Sequence, residues 1–457
     1  MKRLLLALLL VFAFFSCKKA DYPTLLDGNT DIENLEFQEG EESYRIYRFL
    51  YPSVDVAGKE VTLSATMIVP VPSEGMPFNT VTNVLMPCHV TLFDKSECPS
   101  LYVKTRKSEE MTAFLRMWKQ LLILPDYEGY GVTADRPHPY VIRSVSGRQS
   151  ADALLKGLEL YRKLVAEQRA VPLDPGFKSL CMGYSQGAAV SLSVQEYLEK
   201  NGLNDDVHYS GSICGGSPVD LMATLKYYFT DDGDSYGVST RHRIDRVFPP
   251  LTMPMIIKCY CDCLPGMQDC SPEDYFSKAF LDCGLMDWLE EGRYDTLTLI
   301  QMLYDNCRNG FKAKDGTEYS AAEAKKLFPV MESATRVEAD LKEILTPQCY
   351  EWLRQRALSD DPYKLPEDET GPMAALGRAM LENSFLGGWT PIHRILFLHS
   401  KMDTLIPYGN IQSFIERHPG APVRTVIFSD NDHREAGRDF YMRQMLSPDD
   451  VNFIFAN

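Results

Sequence analysis

Short apolar runs alternate with helix-spaced stretches through the first half of the chain. Tyr44 to Leu50 and Val61 to Val69 are strand-like, with a turn at Ala57-Gly58-Lys59 between them and Pro70 and Pro72 closing the second run. Together they predict an antiparallel hairpin at one edge of a sheet. Val81 to Met86 leads into Pro87-Cys88-His89-Val90-Thr91, and Gln120 to Leu124 leads into Pro125-Asp126-Tyr127-Glu128-Gly129-Tyr130-Gly131. Between those two strands, Glu109 to Met117 reads as helical. From Gln149 to Gln168 the apolar residues Leu154, Leu155, Leu158, Tyr161 and Leu164 recur at helical spacing, which predicts a long amphipathic helix. A strand at Leu180-Cys181-Met182, a helix from Ala188 to Lys200 and a strand from Val207 to Ile213 follow. Strands alternating with helices predict a mostly parallel sheet with helices on both faces.

The pattern changes from Leu221 to Trp389, where helical signals dominate and strands nearly vanish. Ser271-Pro272-Glu273 is a helix start with proline at the first helical position, and Gly284 is a stop. Ser320-Ala321-Ala322-Glu323 is a capping box. Pro347 opens a helix that runs near Cys349 to Leu358, and Ala374 to Glu382 forms the last one. Strand, helix and strand then resume at Arg394 to His399, Tyr408 to Arg417 and Val423 to Phe428, with a final helix from near Glu435. The expected organisation is an α/β core over residues 36–220 and 391–457, interrupted by a large helical cap at 221–390.

The N-terminus stands apart. Lys2 and Arg3 precede an apolar run from Leu4 to Phe15, too short to cross a bilayer comfortably, that ends at Ser16-Cys17. Residues 1–16 therefore read as a signal peptide, and the small residue before Cys17 resembles the cleavage site of bacterial lipoproteins. Cleavage there would leave a lipid on Cys17. Residues 17–35 would form a polar tether, and the protein would be anchored at the outer membrane of the cell envelope. No later apolar segment is long enough to span a membrane.

The full chain of 457 residues carries 47 basic and 63 acidic side chains, net −16, which becomes −18 once Lys2 and Arg3 are lost. With no basic patch, nucleic acid is a poor partner. Twelve cysteines less Cys17 leave an odd number, so at least one stays free or pairs outside the chain. Cys259, Cys261 and Cys263, at every second position, would share one face of an extended segment. Their spacing does not match a zinc finger, and disulfides or buried thiols are the expectation, with no metal. A Cys88–Cys98 pair would close a loop.

The chemistry centres on Gly183-Tyr184-Ser185-Gln186-Gly187, placed between an apolar strand and a helix. In that context the motif is a nucleophile elbow that presents Ser185 at the carboxyl end of a strand. A serine hydroxyl needs a base, and the base needs an acid to hold its tautomer. Of eight histidines, only His418 and His433 follow a candidate acid late in the chain, and His418 precedes the last strand whereas His433 follows it. Asp403 lies just past the preceding strand, while Asp430 and Asp432 are too near His433 in sequence to face it from a neighbouring strand end. The expected set is Ser185 as nucleophile, His433 as base and Asp403 as its orienting acid. The backbone N–H of Gln186 would stabilise an oxyanion, with a second donor from the His89-Val90-Thr91 loop or from Asp126.

Pro125 to Gly131, His138-Pro139-Tyr140, the Gly-Tyr-Ser-Gln-Gly elbow, His399-Ser400-Lys401-Met402-Asp403 and Asp432-His433-Arg434-Glu435-Ala436-Gly437 together resemble the secretory lipase family. That group of α/β-hydrolases, the yeast lipase A-like enzymes, has relatives among bacterial lipoproteins. The resemblance covers roughly residues 40–220 and 390–445. It implies the α/β-hydrolase fold, a helical cap over the site, a part for Asp126 in the oxyanion site, no cofactor, and a small-molecule or lipid ester as substrate. A serine aminopeptidase or oligopeptidase on the same fold, or an inactive surface protein that binds a ligand, are the other readings.

Overall fold

The computed structural model describes residues 33–35, 44–72, 79–102, 120–231, 242–333, 336–366, 369–446 and 448–455. The signal peptide, Cys17 and the helix expected at Glu109 to Met117 lie outside them. Nine strands form one sheet: β1 (Glu33–Leu35), β2 (Tyr44–Val54), β3 (Glu60–Pro70), β4 (Val81–Cys88), β5 (Gln120–Pro125), β6 (Leu173–Tyr184), β7 (Tyr209–Gly215), β8 (Arg394–Ser400) and β9 (Val423–Ser429). Their order is β1-β2-β3-β5-β4-β6-β7-β8-β9. The first three pairings, from β1 to β5, are antiparallel, and the rest are parallel. The β2–β3 hairpin sits where the alternation places it, but β1 covers its outer side, so the last three residues of the expected tether belong to the sheet.

Covering helices explain why the parallel strands read as unbroken apolar runs: every residue of β5 is buried, and so is all of β8 after Arg394. Helix α1 (Arg143–Ala166) buries Leu154, Leu158, Tyr161 and Leu164. It begins six residues before the apolar period does, because Arg143 to Arg148 are helical but less apolar. Helix α2 (Gln186–Lys200) leaves β6 at the elbow and is buried along most of its length.

The inserted region has its own apolar cluster, which includes Leu225, Tyr260, Phe276, Phe280, Leu303 and Leu353. Its helices include α3 (Leu221–Thr230), α4 (Thr252–Cys263), α5 (Thr296–Cys307), α6 (Pro347–Leu358) and α7 (Pro372–Glu382). Strands do not vanish here. Gly310–Lys312 pairs with Glu318–Ser320, and Arg336–Asp340 lies between Val330–Ser333 and Arg246–Val247. At two to five residues, these strands are too short to show a period. Gly284 caps the start of a further helix, Leu285–Glu291, instead of only ending one. Cys259, Cys261 and Cys263 lie on α4, so Cys259 and Cys263 are one turn apart and Cys261 faces away from them. The described cysteines are free thiols, and the Cys88–Cys98 loop closure is not formed.

Cap and core meet on loops that leave the carboxyl ends of the strands. Phe93, Ile142 and Val145 join the cap's apolar cluster. Lys95 N–H bonds the Gly292 carbonyl, Arg143 bonds Asn383 and Ser384, and Tyr228 reaches Leu405. The cap therefore lies over the end of the sheet where ligands gather in open α/β folds. Helices α8 (Gly409–Arg417), α9 (His433–Leu446) and α10 (Pro448–Phe455) complete the core.

Candidate active site

Ser185 joins β6 to α2 with φ 56° and ψ −122°, a backbone state that non-glycine residues avoid. Its N–H bonds the Gly215 carbonyl at 2.8 Å, which ties the turn to the end of β7. A Cβ on Gly183 would sit 2.3 Å from the Gly187 carbonyl carbon, and one on Gly187 would sit 2.1 Å from the Cys88 carbonyl oxygen. Both contacts are with backbone, so the two glycines are what allow the chain to turn this tightly. Gln186 is the first residue of α2. Its N–H belongs to the first turn, where donors have no partner within the helix and the dipole favours negative charge.

Asp403 follows β8 and is fully buried. Its Oδ1 accepts the N–H groups of Leu405 (3.1 Å) and Ile406 (2.8 Å), and its Oδ2 faces His433 Nδ1 at 2.6 Å. A carboxylate only accepts, which places the imidazole proton on Nδ1 and leaves Nε2 as the acceptor. Nε2 lies 2.9 Å from Ser185 Oγ. Three residues from three different loops thus form a single hydrogen-bonded chain, in the order that lets a hydroxyl lose its proton to an oriented imidazole.

The loop before His433 is pinned at several points. Ser400 Oγ donates to the Asn431 carbonyl, and Ser429 Oγ and Asn431 Nδ2 donate to Asp439. Asp432 caps α9 by accepting from Glu435 N–H, which explains its place beside the base without a part in the chain of contacts. His418 is buried elsewhere, stacked on Phe414 and bonded to the Phe414 carbonyl.

The expected oxyanion residues divide. Val90 is half-buried in the loop after β4, where the carbonyls of Cys88 and His89 press on Gly187. His89 steadies that loop: its ring nitrogens face the carbonyls of Val90 (2.7 Å) and Asp126 (3.0 Å). Burial holds His89 down to about 4, so at neutral pH only one of these contacts is a donated hydrogen bond. Asp126 is tied to its neighbours. Ser64 Oγ and Ser100 N–H donate to its carboxylate, and its own N–H donates to the Ser64 carbonyl. Burial raises its carboxyl to about 6. In this arrangement Asp126 ties the loop after β5 to β3, and its N–H is not available to an oxyanion.

Sequence reasoning missed the residues that support this site. Gln186 Nε2 donates to His138 Nε2 at 2.7 Å, and His138 Nδ1 donates to the Glu128 carbonyl at 2.7 Å. Burial pushes His138 down to about 3, so it is neutral with one fixed tautomer. The one available signal was the adjacent His138-Pro139-Tyr140, because a contact between positions 138 and 186 leaves no local pattern.

No protein-family model matches the chain, and no curated protein does. Solved structures are similar over nearly its whole length. A candidate hydrolase of Legionella pneumophila has a TM-score of 0.60 at 16% identity, covering 91% of this chain and 90% of its own. The rice cell wall degrading esterase LipA from Xanthomonas oryzae, in a ligand-bound form, has a TM-score of 0.59 at 17% identity, with the same coverage. Candida antarctica lipase A in its closed state has a TM-score of 0.54 at 12% identity, covering 95% of this chain and 92% of its own. Likeness at such identities speaks to architecture, and the architecture is the α/β-hydrolase fold: a mostly parallel sheet with helices on both faces and large helical insertions.

Proposed function

We propose that this protein is a serine hydrolase of carboxylic esters. The observation that carries the reading is the Ser185–His433–Asp403 chain, at 2.9 and 2.6 Å, beneath the cap. Ser185 Oγ attacks the ester carbonyl carbon while His433 Nε2 takes its proton. The tetrahedral oxyanion is met by the Gln186 N–H and by a donor from the His89 to Thr91 loop. As the intermediate collapses, His433 returns the proton to the departing alcohol, which leaves an acyl group on Ser185. Water deprotonated by His433 then attacks that acyl group, and His433 returns the proton to Ser185 Oγ as the bond to the acyl carbon breaks and the acid leaves. Asp403 stays ionised throughout, holding the imidazole and balancing its charge. The esterase and lipase among the structural neighbours favour an ester over other acyl substrates.

We also propose, on the apolar run from Leu4 to Phe15 that ends at Ser16-Cys17, that a lipid on Cys17 holds the enzyme at the bacterial outer membrane, where it would meet small-molecule or lipid esters. Cys17→Ala is expected to move the protein to the soluble fraction with unchanged specific activity. The reaction class is tested with nitrophenyl esters of rising chain length beside aminoacyl nitroanilides. Turnover of the esters is the expected result, and efficient cleavage of the nitroanilides alone would instead make the protein a peptidase.

A further inference from the structure

Two loops carry the base and the acid, and a tyrosine hydroxyl grips the backbone of each. Tyr184, the residue before Ser185, is 3% exposed, and its hydroxyl donates to the His433 carbonyl at 2.7 Å. Its ring lies 5.0 Å from the His433 ring. A Cβ on Gly215, Gly216 or Gly437 would fall within 3.0 Å of that ring, so the ring sits in a slot shaped for it. His433 is the first residue of α9, and fixing its carbonyl fixes the Cα from which the imidazole reaches Ser185.

The second tyrosine belongs to the cap. Tyr228 on α3 donates to the Leu405 carbonyl at 2.9 Å, and Leu405 N–H donates to Asp403 Oδ1. Burial keeps its phenol protonated and therefore a donor. Helix α3 is itself firmly seated. Asp220 caps it through Met222 and Ala223, accepts from Tyr363 and Ser413, and donates its N–H to Asn410 of α8.

We propose that Tyr184 and Tyr228 are positioning residues that clamp the base loop and the acid loop, so that the cap takes part in the chemistry as well as in substrate choice. Tyr228 acts through the Leu405 carbonyl, whereas the Tyr184 hydroxyl holds the His433 carbonyl and also lies 3.5 Å from His433 Nδ1, on the side of the ring away from the proton transfer to Nε2. The inference rests on the serine-hydrolase reading above.

The test compares Tyr184→Phe and Tyr228→Phe with Tyr275→Phe, which removes a buried cap hydroxyl that also donates to a backbone carbonyl, that of Pro372, away from α3 and from both loops. Each is assayed on nitrophenyl acetate and nitrophenyl decanoate, and for the rate at which a fluorophosphonate labels Ser185. Tyr184→Phe and Tyr228→Phe are each expected to lower kcat about three- to tenfold on both esters, with slower labelling and with KM and melting temperature little changed. Tyr275→Phe is expected to keep wild-type kcat. The clamp is overturned if Tyr228→Phe keeps wild-type kcat, if it alters only KM or chain-length preference, or if Tyr275→Phe loses kcat to the same degree. Wild-type protein that is not labelled at Ser185 would instead bring down the underlying reading.

Discussion

Core and cap solve different problems with different tolerances. In the core, backbone meets backbone at the elbow, and a single added methyl on Gly187 would lie 2.1 Å from a carbonyl oxygen. In the cap, Gly266 has nothing within 4 Å of the same position. The core places three side chains from residues up to 248 positions apart within hydrogen-bond reach. The cap packs many short elements around ordinary apolar side chains such as Phe276, Phe280 and Leu303. At the elbow the chemistry depends on backbone placement with little slack, whereas the open position at Gly266 leaves room for a side chain.

The largest effect expected from breaking this contrast lies in the core. Ser185→Ala is expected to keep the fold and lose on the order of 10⁴–10⁶ in kcat. His433→Ala should cost about as much, and the double variant little more, because the members act as a unit. Additive losses would mean that the two residues work independently. Asp403→Asn is also expected to be severe, since an amide in place of the carboxylate favours the wrong imidazole tautomer.

A smaller effect separates the two regions by packing alone. Gly187→Ala forces a methyl against backbone and is expected to destabilise the protein by at least about 3 kcal/mol, or to prevent folding. Gly266→Ala is expected to stay within about 0.5 kcal/mol. Chemical denaturation measures both, and equal losses would erase the distinction.

The smallest effect is a pH dependence that reports on each region. His138 in the core and His242 in the cap have folded values held down by burial, to about 3 and about 4. Between the unfolded value near 6.5 and those lower values, only the unfolded state takes up the proton. Each histidine therefore contributes stability above pH 6.5 that is lost as pH falls, about 2 kcal/mol by pH 5. His138→Asn and His242→Asn should each flatten the fall in stability between pH 7 and pH 5, even if they lower stability at pH 7. An unchanged slope in urea melts would show that the histidine is protonated in the folded state.

Legibility in the sequence followed the same division. The core strands and helices stood out because buried parallel strands read as continuous apolar runs and α1 repeats its apolar residues over many turns. That Ser185, His433 and Asp403 meet was legible because strand ends are where such groups collect, and chain order and strand position pointed to these three. The cap's strands of two to five residues left no measurable period. The Cys-Tyr-Cys-Asp-Cys alternation reads as a strand, yet Pro254, Ile257 and Tyr260 bury one face of a helix through it. Asp126 stands at the end of β5, where a catalytic role is natural, but Ser64 and Ser100 engage it, and neither partner is near it in sequence. Tyr184 and Tyr228 were invisible as supports because each bonds a backbone carbonyl more than 170 positions away.

The central claim is that Ser185 carries the acyl group during turnover. Mixing the protein with a nitrophenyl ester, quenching with acid within one turnover and mapping the peptides by mass tests it directly. The account predicts an acyl adduct on the peptide containing Ser185 in the wild type, and its absence in Ser185→Ala together with loss of hydrolysis. An acyl group found on another residue, or wild-type hydrolysis by Ser185→Ala, would contradict it.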